Sequence, residues 1–303
     1  MIVKANKENV AAFHKRLCTM LDTIIDIFDK HNIRWFSDSG TTLGCIRDGK
    51  IIDWDNDIDI VLPIADYVKF LSIAETELPG NLVLNNTMTC DNVHRLHTTV
   101  VDKNTFCLNF HDYYETCDEA VQFMLDNPLD MCLTIDIYGY EHVPEKHTKM
   151  FKDYVQWTNF LQNHLCKRWK HPELIDQIDI DYSRLLHTFY METLLRIDKA
   201  YENSDYIIVH NCIPITAYED LQLKAKYYDS YIEMPLKDLK HSLRIPVGYE
   251  AIMFLTYGED YMTPKQTQHV GCDAYGFIFD LDSKQEFNSV EDFRQVLKQY
   301  KGE

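Results

Sequence analysis

The sequence predicts an α+β fold with an additional helical region in its C-terminal half, and three patterns support this prediction. Apolar side chains recur at steps of three and four over residues 8–30, which indicates an amphipathic helix. Short apolar runs between turn residues follow from residue 34 to residue 138 and are typical of strands. Helical patterns return beyond residue 147 and are rich in leucine and aromatic side chains.

Helices and short strands alternate in the first half of the prediction. Pro63 ends one strand, and the turn-like Asp102-Lys103-Asn104 between two later strands predicts a hairpin. In chain order, the predicted elements are a strand at 34–36, a turn at 37–40, a helix at 41–46, a strand at 58–62, a helix at 66–77 and strands at 82–84, 96–101, 106–110 and 132–138.

The second half is predicted to be mainly helical, with helices near 147–167, 178–202, 249–257 and 290–300. The change of pattern near residue 145 divides the chain into a core over 1–145 and a mainly helical region over 146–303 that completes this core. No linker rich in Gly, Ser or Pro marks the boundary, so one continuous domain is the alternative.

Composition limits the possible partners. The 303-residue chain is 46% hydrophobic and 13% aromatic, which is enough for a sizeable core. Its net charge of -18 disfavours binding to nucleic acid or to anionic membranes. An anionic substrate therefore needs local help from a metal or from particular Arg and Lys residues.

The sequence also indicates a compartment. The first residues lack an apolar signal core, and no uninterrupted run approaches the roughly 18 apolar residues of a membrane helix. The nine cysteines include no pair at CxxC spacing, which argues against a structural zinc site and favours a reducing environment. We therefore expect a cytoplasmic protein without a transmembrane segment.

An acidic run is the strongest functional signal in the chain. Residues 53–59, with the sequence DWDNDID, place four carboxylates in seven residues and lead into an apolar strand. Period-two alternation puts Asp55, Asp57 and Asp59 on one side of an extended backbone. Like charges held so close are tolerated mainly when a cation or a proton lies between them, and Mg²⁺ prefers carboxylate oxygens. The run therefore predicts a divalent-metal site at the edge of a sheet.

A calcium loop and a solvated turn both fit the acidic run less well. An EF-hand loop that starts at Asp53 needs Gly at its sixth position and Glu at its twelfth, where this chain has Ile58 and Ile64. A solvated acidic turn is the usual origin of a charge run, but it would not be interleaved with apolar residues such as Ile52 and Trp54.

A further acid lies within an apolar strand. Asp136 is flanked by Ile135 and Ile137, and a lone Asp is costly to bury unless it is paired or bound to a cation. If its strand lies beside residues 58–62, three carboxylates converge on one or two cations. The alternative is a structural Asp bonded to a helix N-terminus.

The turn before the acidic run is suited to phosphate. Gly40, Thr41 and Thr42 lie between a strand and a helix start, where backbone N–H groups and hydroxyls can hold phosphate oxygens. Such turns are also common helix caps. Arg47 follows as a candidate partner for a phosphate, or for a surface salt bridge with a neighbouring Asp.

Taken together, these segments resemble the LicD/fukutin family. Residues 36–47 (FSDSGTTLGCIR) and 52–60 (IDWDNDIDI) are similar to the family's Gly-Thr-Leu-Leu-Gly-type segment, its Arg and its Trp-Asp-Asp-Asp-Ile-Asp-like run. Three later segments also resemble the family, namely 102–105, 135–137 and 257–264. The resemblance as a whole covers roughly residues 8–270. The chain departs from the pattern at Thr42, Asp53 and Asn56, of which Asn56 alternates away from the metal side.

The resemblance implies a nucleotidyltransferase-like fold with a mixed sheet flanked by helices. It also implies Mg²⁺-dependent (or Mn²⁺-dependent) transfer of a phosphorylated alcohol from a CDP-activated donor to a sugar hydroxyl of a glycan or glycolipid. Phosphocholine is the donor group in LicD proteins, and ribitol phosphate is the donor group in fukutin-type proteins. The missing membrane anchor favours the LicD-like branch, so that only the acceptor would bring this protein to a membrane surface.

The expected residue roles centre on three carboxylates. Asp57 and Asp59 hold the metal against the donor pyrophosphate, and Asp136 is a third ligand or the base for the acceptor hydroxyl. The expected nucleotide- or phosphate-binding residues are Gly40, Thr41, Thr42, Arg47, Trp54, Asp55 and Lys103, with Arg95 and His269 as further substrate contacts. The alternative for Trp54 is packing in the core, and the alternative for His269 is a structural role.

Three other functions use parts of the same pattern. A nucleotidylyltransferase would use the same carboxylates to attach a nucleoside monophosphate to a small molecule or protein, and the motif does not exclude it. A non-catalytic nucleotide-binding module would not need all of Asp57, Asp59 and Asp136. A metal-dependent glycosyltransferase with an Asp-x-Asp site is disfavoured by the preceding Gly40-Thr41 segment.

Overall fold

The computed structural model describes residues 1–90, 93, 97–111, 113–166, 180–209, 222–264 and 275–301. These residues form a mixed sheet with helices packed against it, a second and smaller sheet, and a hairpin, which confirms the predicted α+β fold. None of the helices within these ranges combines the length and the apolar composition that crossing a bilayer requires.

Helices and strands alternate along most of the described chain. The helices are α1 Val10–Lys30, α2 Ser39–Asp48, α3 Ile64–Glu77, α4 Tyr113–Thr116, α5 Asp118–Asp126, α6 Lys149–Cys166, α7 Ile180–Ala200, α8 Tyr249–Tyr257 and α9 Val290–Lys301. The strands are β1 Val3–Lys4, β2 Phe36–Ser37, β3 Asp59–Pro63, β4 Leu82–Asn85, β5 Thr98–Asp102, β6 Phe106–Asn109, β7 Leu133–His142, β8 Tyr206–Val209, β9 Leu223–Lys224, β10 Tyr231–Pro235, β11 Ser242–Pro246 and β12 Phe277–Asp280.

The main sheet has the strand order β2-β3-β7-β5-β4. β3 and β7 are parallel, whereas β2 with β3, β5 with β7 and β4 with β5 are antiparallel. Residues 59–62 of β3 are all buried, as are most residues of β7. A parallel pair is normally covered on both faces, which explains why these two strands read as nearly continuous apolar runs.

Helix α1 supplies one wall of the core, as its sequence period predicts. The apolar residues at steps of three and four are all buried, and Phe13, Leu17 and Phe28 are fully so. They form one cluster with Ile60 of β3 and Ile135 of β7. Full burial of side chains of this size stabilises the fold by about 1.5–3 kcal/mol each.

The predicted hairpin between residues 96–101 and 106–110 is wrong. β5 pairs with β4 and β7, whereas β6 pairs with β12 in a second sheet of order β1-β12-β6. The intervening turn is held by the Asp102 side chain, which accepts a hydrogen bond from the Asn104 backbone N–H at 3.2 Å. This turn redirects the chain from one sheet into the other, so the turn residues were correctly identified but their strand partners were not.

Four strands between residues 206 and 246 were not predicted from the sequence. β8 pairs with the last residues of β7, where Val209 faces Tyr140, and β9 pairs with β8. β10 and β11 form a separate hairpin. Sheet pairing therefore joins the two sides of residue 145, and the division of the chain at that point stays a prediction.

A buried ion pair joins α1 to the end of β5 and tests this packing. Asp102 is fully buried, and Arg16 of α1 donates to its Oδ2 through both Nε, at 3.0 Å, and Nη2. We expect Arg16→Met to lower the free energy of unfolding by about 1–3 kcal/mol, because it leaves a buried carboxylate without its cation. This range is below that of a fully buried pair, since the Arg16 side chain is 37% exposed.

Urea denaturation of Arg16→Met measures this effect, and Lys15→Met is the matched control. Lys15 is exposed one position earlier on the same helix, so the control makes a similar change in charge and side chain without touching Asp102. Equal losses of stability in the two variants would show that the ion pair does not hold α1 against β5.

Candidate metal centre

Three carboxylates meet near the beginnings of β3 and β7. Asp57, Asp59 and Asp136 each offer one carboxylate oxygen, and these oxygens lie within 4.8 Å of one another. Asp59 and Asp136 are 9% and 7% exposed, and Asp57 is half-buried. The structure therefore brings together the three acids that the sequence nominated as metal ligands.

The parallel pairing of β3 with β7 places these acids. Asp59 is the direct partner of Asp136 in the register, and the Asp136 N–H donates to the Ile58 carbonyl at 2.8 Å. Neighbouring strands lie about 4.8 Å apart and paired residues project to the same face. Asp57 precedes β3 in a loop. His14 of α1 contacts this loop, because its Nε2 lies 2.8 Å from the Asp55 carbonyl oxygen.

The first turn of α2 abuts the acidic loop. A Cβ atom at Gly40 would lie only 2.5 Å from Asp55 Oδ2, so the close approach of helix and carboxylate requires glycine. Asp55 in turn lies beside Asp57, and its charge contributes to the raised pKa of that residue. Gly40 and Asp55 thus lie beside the three-carboxylate cluster, and their predicted role in nucleotide or phosphate binding stays a prediction.

The hydroxyls of Thr41 and Thr42 fasten α2 to the sheet. Thr41 Oγ1 accepts a hydrogen bond from the Asp59 backbone N–H at 2.8 Å, and Thr42 Oγ1 lies 2.7 Å from Ser37 Oγ. Both threonines are buried. In this arrangement they set the position of Asp59, and their predicted role in phosphate binding stays a prediction.

Two residues that the sequence analysis missed contact the cluster. The Tyr138 hydroxyl lies 3.0 Å from Asp59 Oδ1 and 3.1 Å from Asp136 Oδ2. His97 Nε2 lies 3.4 Å from the same Asp136 oxygen, and its ring packs on Tyr138 with centroids 4.8 Å apart. Because side chains alternate along a strand, Tyr138 lies on the same face as Asp136, and its place beside Asp136 could have been predicted from the sequence. His97 is brought there by strand pairing and had no local signal.

Electrostatics show that the site is a concentration of negative charge. Burial, and then the charges of Asp55 and Asp59, raise the pKa of Asp57 well above its ordinary value. Burial and the neighbouring Asp136 do the same for the pKa of Asp59. Burial also raises the pKa of Asp38, which precedes α2 and whose charge acts on Asp59.

The donor set fits a divalent cation of the Mg²⁺ class. Mg²⁺ binds oxygen ligands at 2.0–2.1 Å, so ligand oxygens around it lie roughly 3–4 Å apart, close to the spacing of these carboxylates. Among the described residues, no Lys or Arg is ion-paired to Asp57 or Asp59. Asp57, Asp59 and Asp136 would hold the ion, because their mutual repulsion in a buried place falls when a cation lies between them.

Arg47 and Lys103 are placed away from the three carboxylates. Arg47 donates to Asp48 Oδ2 through Nε at 2.9 Å and Nη2 at 2.7 Å, which is the salt bridge that the sequence left as its alternative. Lys103 is exposed beyond the end of β5. In that strand Thr99 faces Asp136, so four residues of extended chain place Lys103 about 13 Å along the sheet from Asp136.

The residues that depart from the family pattern have structural partners. Asp53 forms an ion pair with Lys50, which offsets the extra charge at that position. The Asn56 amide donates to Cys107 Sγ at 3.7 Å, so this side chain has a partner outside the three carboxylates. Trp54 is half-buried and packs against a cluster that includes Tyr138, which agrees with the core alternative for this residue.

Two of the predicted substrate contacts, Arg95 and His269, lie outside the described residues, and one further tyrosine is added by the structure. Tyr257, at the end of α8, was not nominated individually. Burial and then the charges of Asp59 and Asp38 raise the pKa of its phenol.

The matched family agrees with this geometry. Residues 32–171 match the family model described as LicD/FKTN/FKRP, nucleotidyltransferase domain, which confirms the predicted resemblance over that part of the chain. Proteins of this family are transferases that modify glycans and generally use a divalent metal. No curated protein matches the chain. The matched range contains β3, β7 and all three carboxylates.

Substitution of Gly40 tests the close approach of α2 to the acidic loop. We expect Gly40→Ala to weaken Mn²⁺ binding at least about 10-fold, because the new methyl group displaces Asp55 and, through it, Asp57. Isothermal titration calorimetry measures the affinity. Gly80→Ala is the control, since a Cβ at Gly80 meets no atom within 4 Å. Unchanged affinity in Gly40→Ala would show that the position of Asp55 does not matter for the site.

The raised pKa values of Asp57 and Asp59 predict a pH dependence of stability in protein stripped of metal by EDTA. The stability that their protons provide is complete below the ordinary carboxyl pKa of 3.8, and it is lost as the pH rises through the raised values. Unfolding then releases protons, so the free energy of unfolding falls by up to about 1.4 kcal/mol per pH unit for each proton released.

Urea denaturation between pH 5 and pH 8 measures this slope, with EDTA and with saturating Mg²⁺. We expect Mg²⁺ to reduce the slope, because the cation replaces the protons between the carboxylates. We expect Asp57→Asn to reduce it as well, in the presence of EDTA. A slope that neither Mg²⁺ nor Asp57→Asn alters would show that other groups cause the pH dependence.

Proposed function

We propose that this chain, whose residues 32–171 carry the LicD-family nucleotidyltransferase domain, transfers a phosphorylated alcohol from a CDP-activated donor to a sugar hydroxyl of a glycan or glycolipid. Phosphocholine or a similar phospho-alcohol is the transferred group. The observation that carries the proposal is the convergence of Asp57, Asp59 and Asp136 within 4.8 Å inside that domain. Phosphoryl transfer depends mainly on positioning and on neutralising charge, and such a cluster supplies both once it holds a cation.

Asp57 and Asp59 are the proposed ligands of Mg²⁺ or Mn²⁺. When bound, such an ion neutralises charge on the donor pyrophosphate and polarises its oxygens. The chain's own contribution is to hold the two carboxylates at a fixed place. Asp59 is fixed by β3 and by the Thr41 hydroxyl, which accepts a hydrogen bond from the Asp59 backbone N–H. Asp57 is held in the loop between α2 and β3.

The start of α2 is the proposed cradle for a donor phosphate. Backbone N–H groups at a helix N-terminus favour anions, and Gly40 and Thr41 place this terminus beside the carboxylates. Arg47 lies in the last turn of the same helix, where it is ion-paired with Asp48. We therefore assign it no direct contact with the donor phosphate. Thr42 supports the helix from β2.

Asp136 is proposed as a third ligand or as the base for the acceptor. As a base it takes the proton of the acceptor hydroxyl while the hydroxyl oxygen forms a bond to the donor phosphorus. The bond from that phosphorus to the oxygen of the CMP phosphate breaks, and CMP leaves with the bonding electrons. Asp136 is buried and lies directly opposite Asp59 in the parallel pair, which places its carboxylate beside the proposed metal ligands.

The acceptor side of the site is less specified by the described residues than the donor side. Aromatic residues of α6 and α7 could in principle stack on sugars, but Tyr190 is buried and packs against Trp157 with ring centroids 5.6 Å apart. These two rings therefore support the helices. Tyr257, whose phenol pKa is raised by burial and by the charges of Asp59 and Asp38, is the better candidate for a substrate contact.

Substitution of the two proposed ligands tests the reaction. We expect Asp57→Asn and Asp59→Asn each to lower Mg²⁺-dependent CMP release at least about 1,000-fold, because each removes a charge that holds the cation at the phosphates. The assay screens CDP-choline, CDP-ribitol and related CDP-alcohols against glycan acceptors. Asp53→Asn is the matched control in the same acidic run, since Asp53 pairs with Lys50 outside the cluster.

The mass of the product completes this test. The acceptor gains a phospho-alcohol if the proposal holds, and it gains a nucleoside monophosphate if the chain is a nucleotidylyltransferase. A gain of nucleotide would contradict the proposed reaction while leaving the metal site in place. Near-normal turnover in both ligand variants would contradict the assignment of the site itself.

A further inference from the structure

We propose that Tyr138 and His97 are a positioning pair that holds Asp136 beside Asp59 and thereby sets the cation affinity of the site. Neither residue belongs to the acidic motifs from which the site was predicted. The inference rests on the proposed function only in that the cation is taken to be the one used in transfer.

The Tyr138 hydroxyl bridges the two paired strands. Tyr138 lies two residues after Asp136 on the same face of β7, and Asp59 lies opposite Asp136 on β3. The hydroxyl lies 3.0 Å from Asp59 Oδ1 and 3.1 Å from Asp136 Oδ2, which are both within hydrogen-bond distance. The single proton of this hydroxyl can be donated to either carboxylate, so the phenol ties one of them by a hydrogen bond and lies within 3.1 Å of the other.

Neutrality is what makes a hydroxyl suitable for this position. A Lys or Arg between the two acids would also hold them, but its charge would compete with a divalent cation for the same oxygens. A phenol donates one hydrogen bond and leaves the negative charge in place. The site therefore keeps its attraction for a cation while its ligands are held in position, which lowers the reorganisation that binding requires.

His97 supports this bridge from the neighbouring strand. It precedes β5, in which Thr98 is the partner of Ile137, so continuation of the register brings His97 opposite Tyr138. Its Nε2 lies 3.4 Å from Asp136 Oδ2, and its ring packs on the Tyr138 ring. Both side chains are buried, so His97 restrains the tyrosine ring and the carboxylate together.

A single atom tests the role of Tyr138. Tyr138→Phe removes the hydroxyl and keeps the ring on which His97 packs. We expect it to weaken Mn²⁺ binding about 10- to 100-fold, the range found when groups that orient metal ligands are removed. Titration calorimetry with Mn²⁺ measures the affinity directly, and thermal unfolding in EDTA checks that the fold is retained.

Tyr140→Phe is the matched control. Tyr140 is buried two residues further along the same strand, and its ring contacts Tyr228 at 5.1 Å between centroids. The Tyr140→Phe substitution makes the same chemical change on the same face of β7, and we expect its Mn²⁺ affinity to stay within about 2-fold of wild type.

For His97, we expect His97→Gln, which keeps an N–H donor, to bind Mn²⁺ at least about 5-fold more tightly than His97→Phe, which keeps only the packing.

The outcomes separate this inference from the proposed reaction. Wild-type Mn²⁺ affinity in Tyr138→Phe would overturn the inference, and so would equal losses in Tyr138→Phe and Tyr140→Phe. A wild-type protein that binds no Mn²⁺ would overturn both the inference and the metal dependence of the proposed function. If Tyr138→Phe loses affinity as expected but no CDP-alcohol is turned over, the positioning pair is supported and the proposed reaction is contradicted.

Discussion

The parallel pairing of β3 with β7 is the constraint on which the site depends. It sets Asp59 opposite Asp136 and holds both backbones with ladder hydrogen bonds, so the two carboxylates cannot separate without breaking the centre of the sheet. Like charges in a buried place raise each other's pKa, and that is the direction found for Asp57 and Asp59. The fold thus enforces an electrostatic conflict at its centre, and a conflict of this kind is common at functional sites.

The surrounding groups fix the position of the acids and leave their charge in place. The Thr41 hydroxyl holds the backbone of Asp59, the Tyr138 hydroxyl holds two carboxylates, and His14 holds the loop through the carbonyl of Asp55. By contrast, the fully buried Asp102 is paired with Arg16 at the other end of β5. The acids beside the two ends of this strand therefore differ in their partners: Asp102 is ion-paired with an arginine, whereas among the described residues no Lys or Arg is ion-paired to Asp57 or Asp59.

Much of the site could be predicted from the sequence because its signals are local. Acids that alternate before an apolar strand, and a lone Asp136 within another strand, are each unusual by themselves, and pairing of the two strands was the simplest way to satisfy both. The misses are long-range. β6 pairs with β12, which lies about 170 residues later, and no turn residue can specify such a partner. His97 reaches Asp136 only through the pairing of β5 with β7, and the short strands between residues 206 and 246 carry little period to detect.

The negative charge of the whole chain limits how an anionic donor could be bound. A protein with a net charge of -18 repels an anionic donor at long range, so the attraction that binds such a donor must be local. A fixed Lys or Arg at the centre would supply one positive charge at most. Three carboxylates held within 4.8 Å would instead hold a divalent ion, whose charge is larger and whose ligands are oxygens that a phosphate can share. The start of α2 adds the partial positive charge of its N–H groups at the same edge, beside Gly40. The acidity of the chain and the proposed phosphate chemistry of its centre are therefore compatible, because a bound cation would reverse the sign of the field only at the three carboxylates.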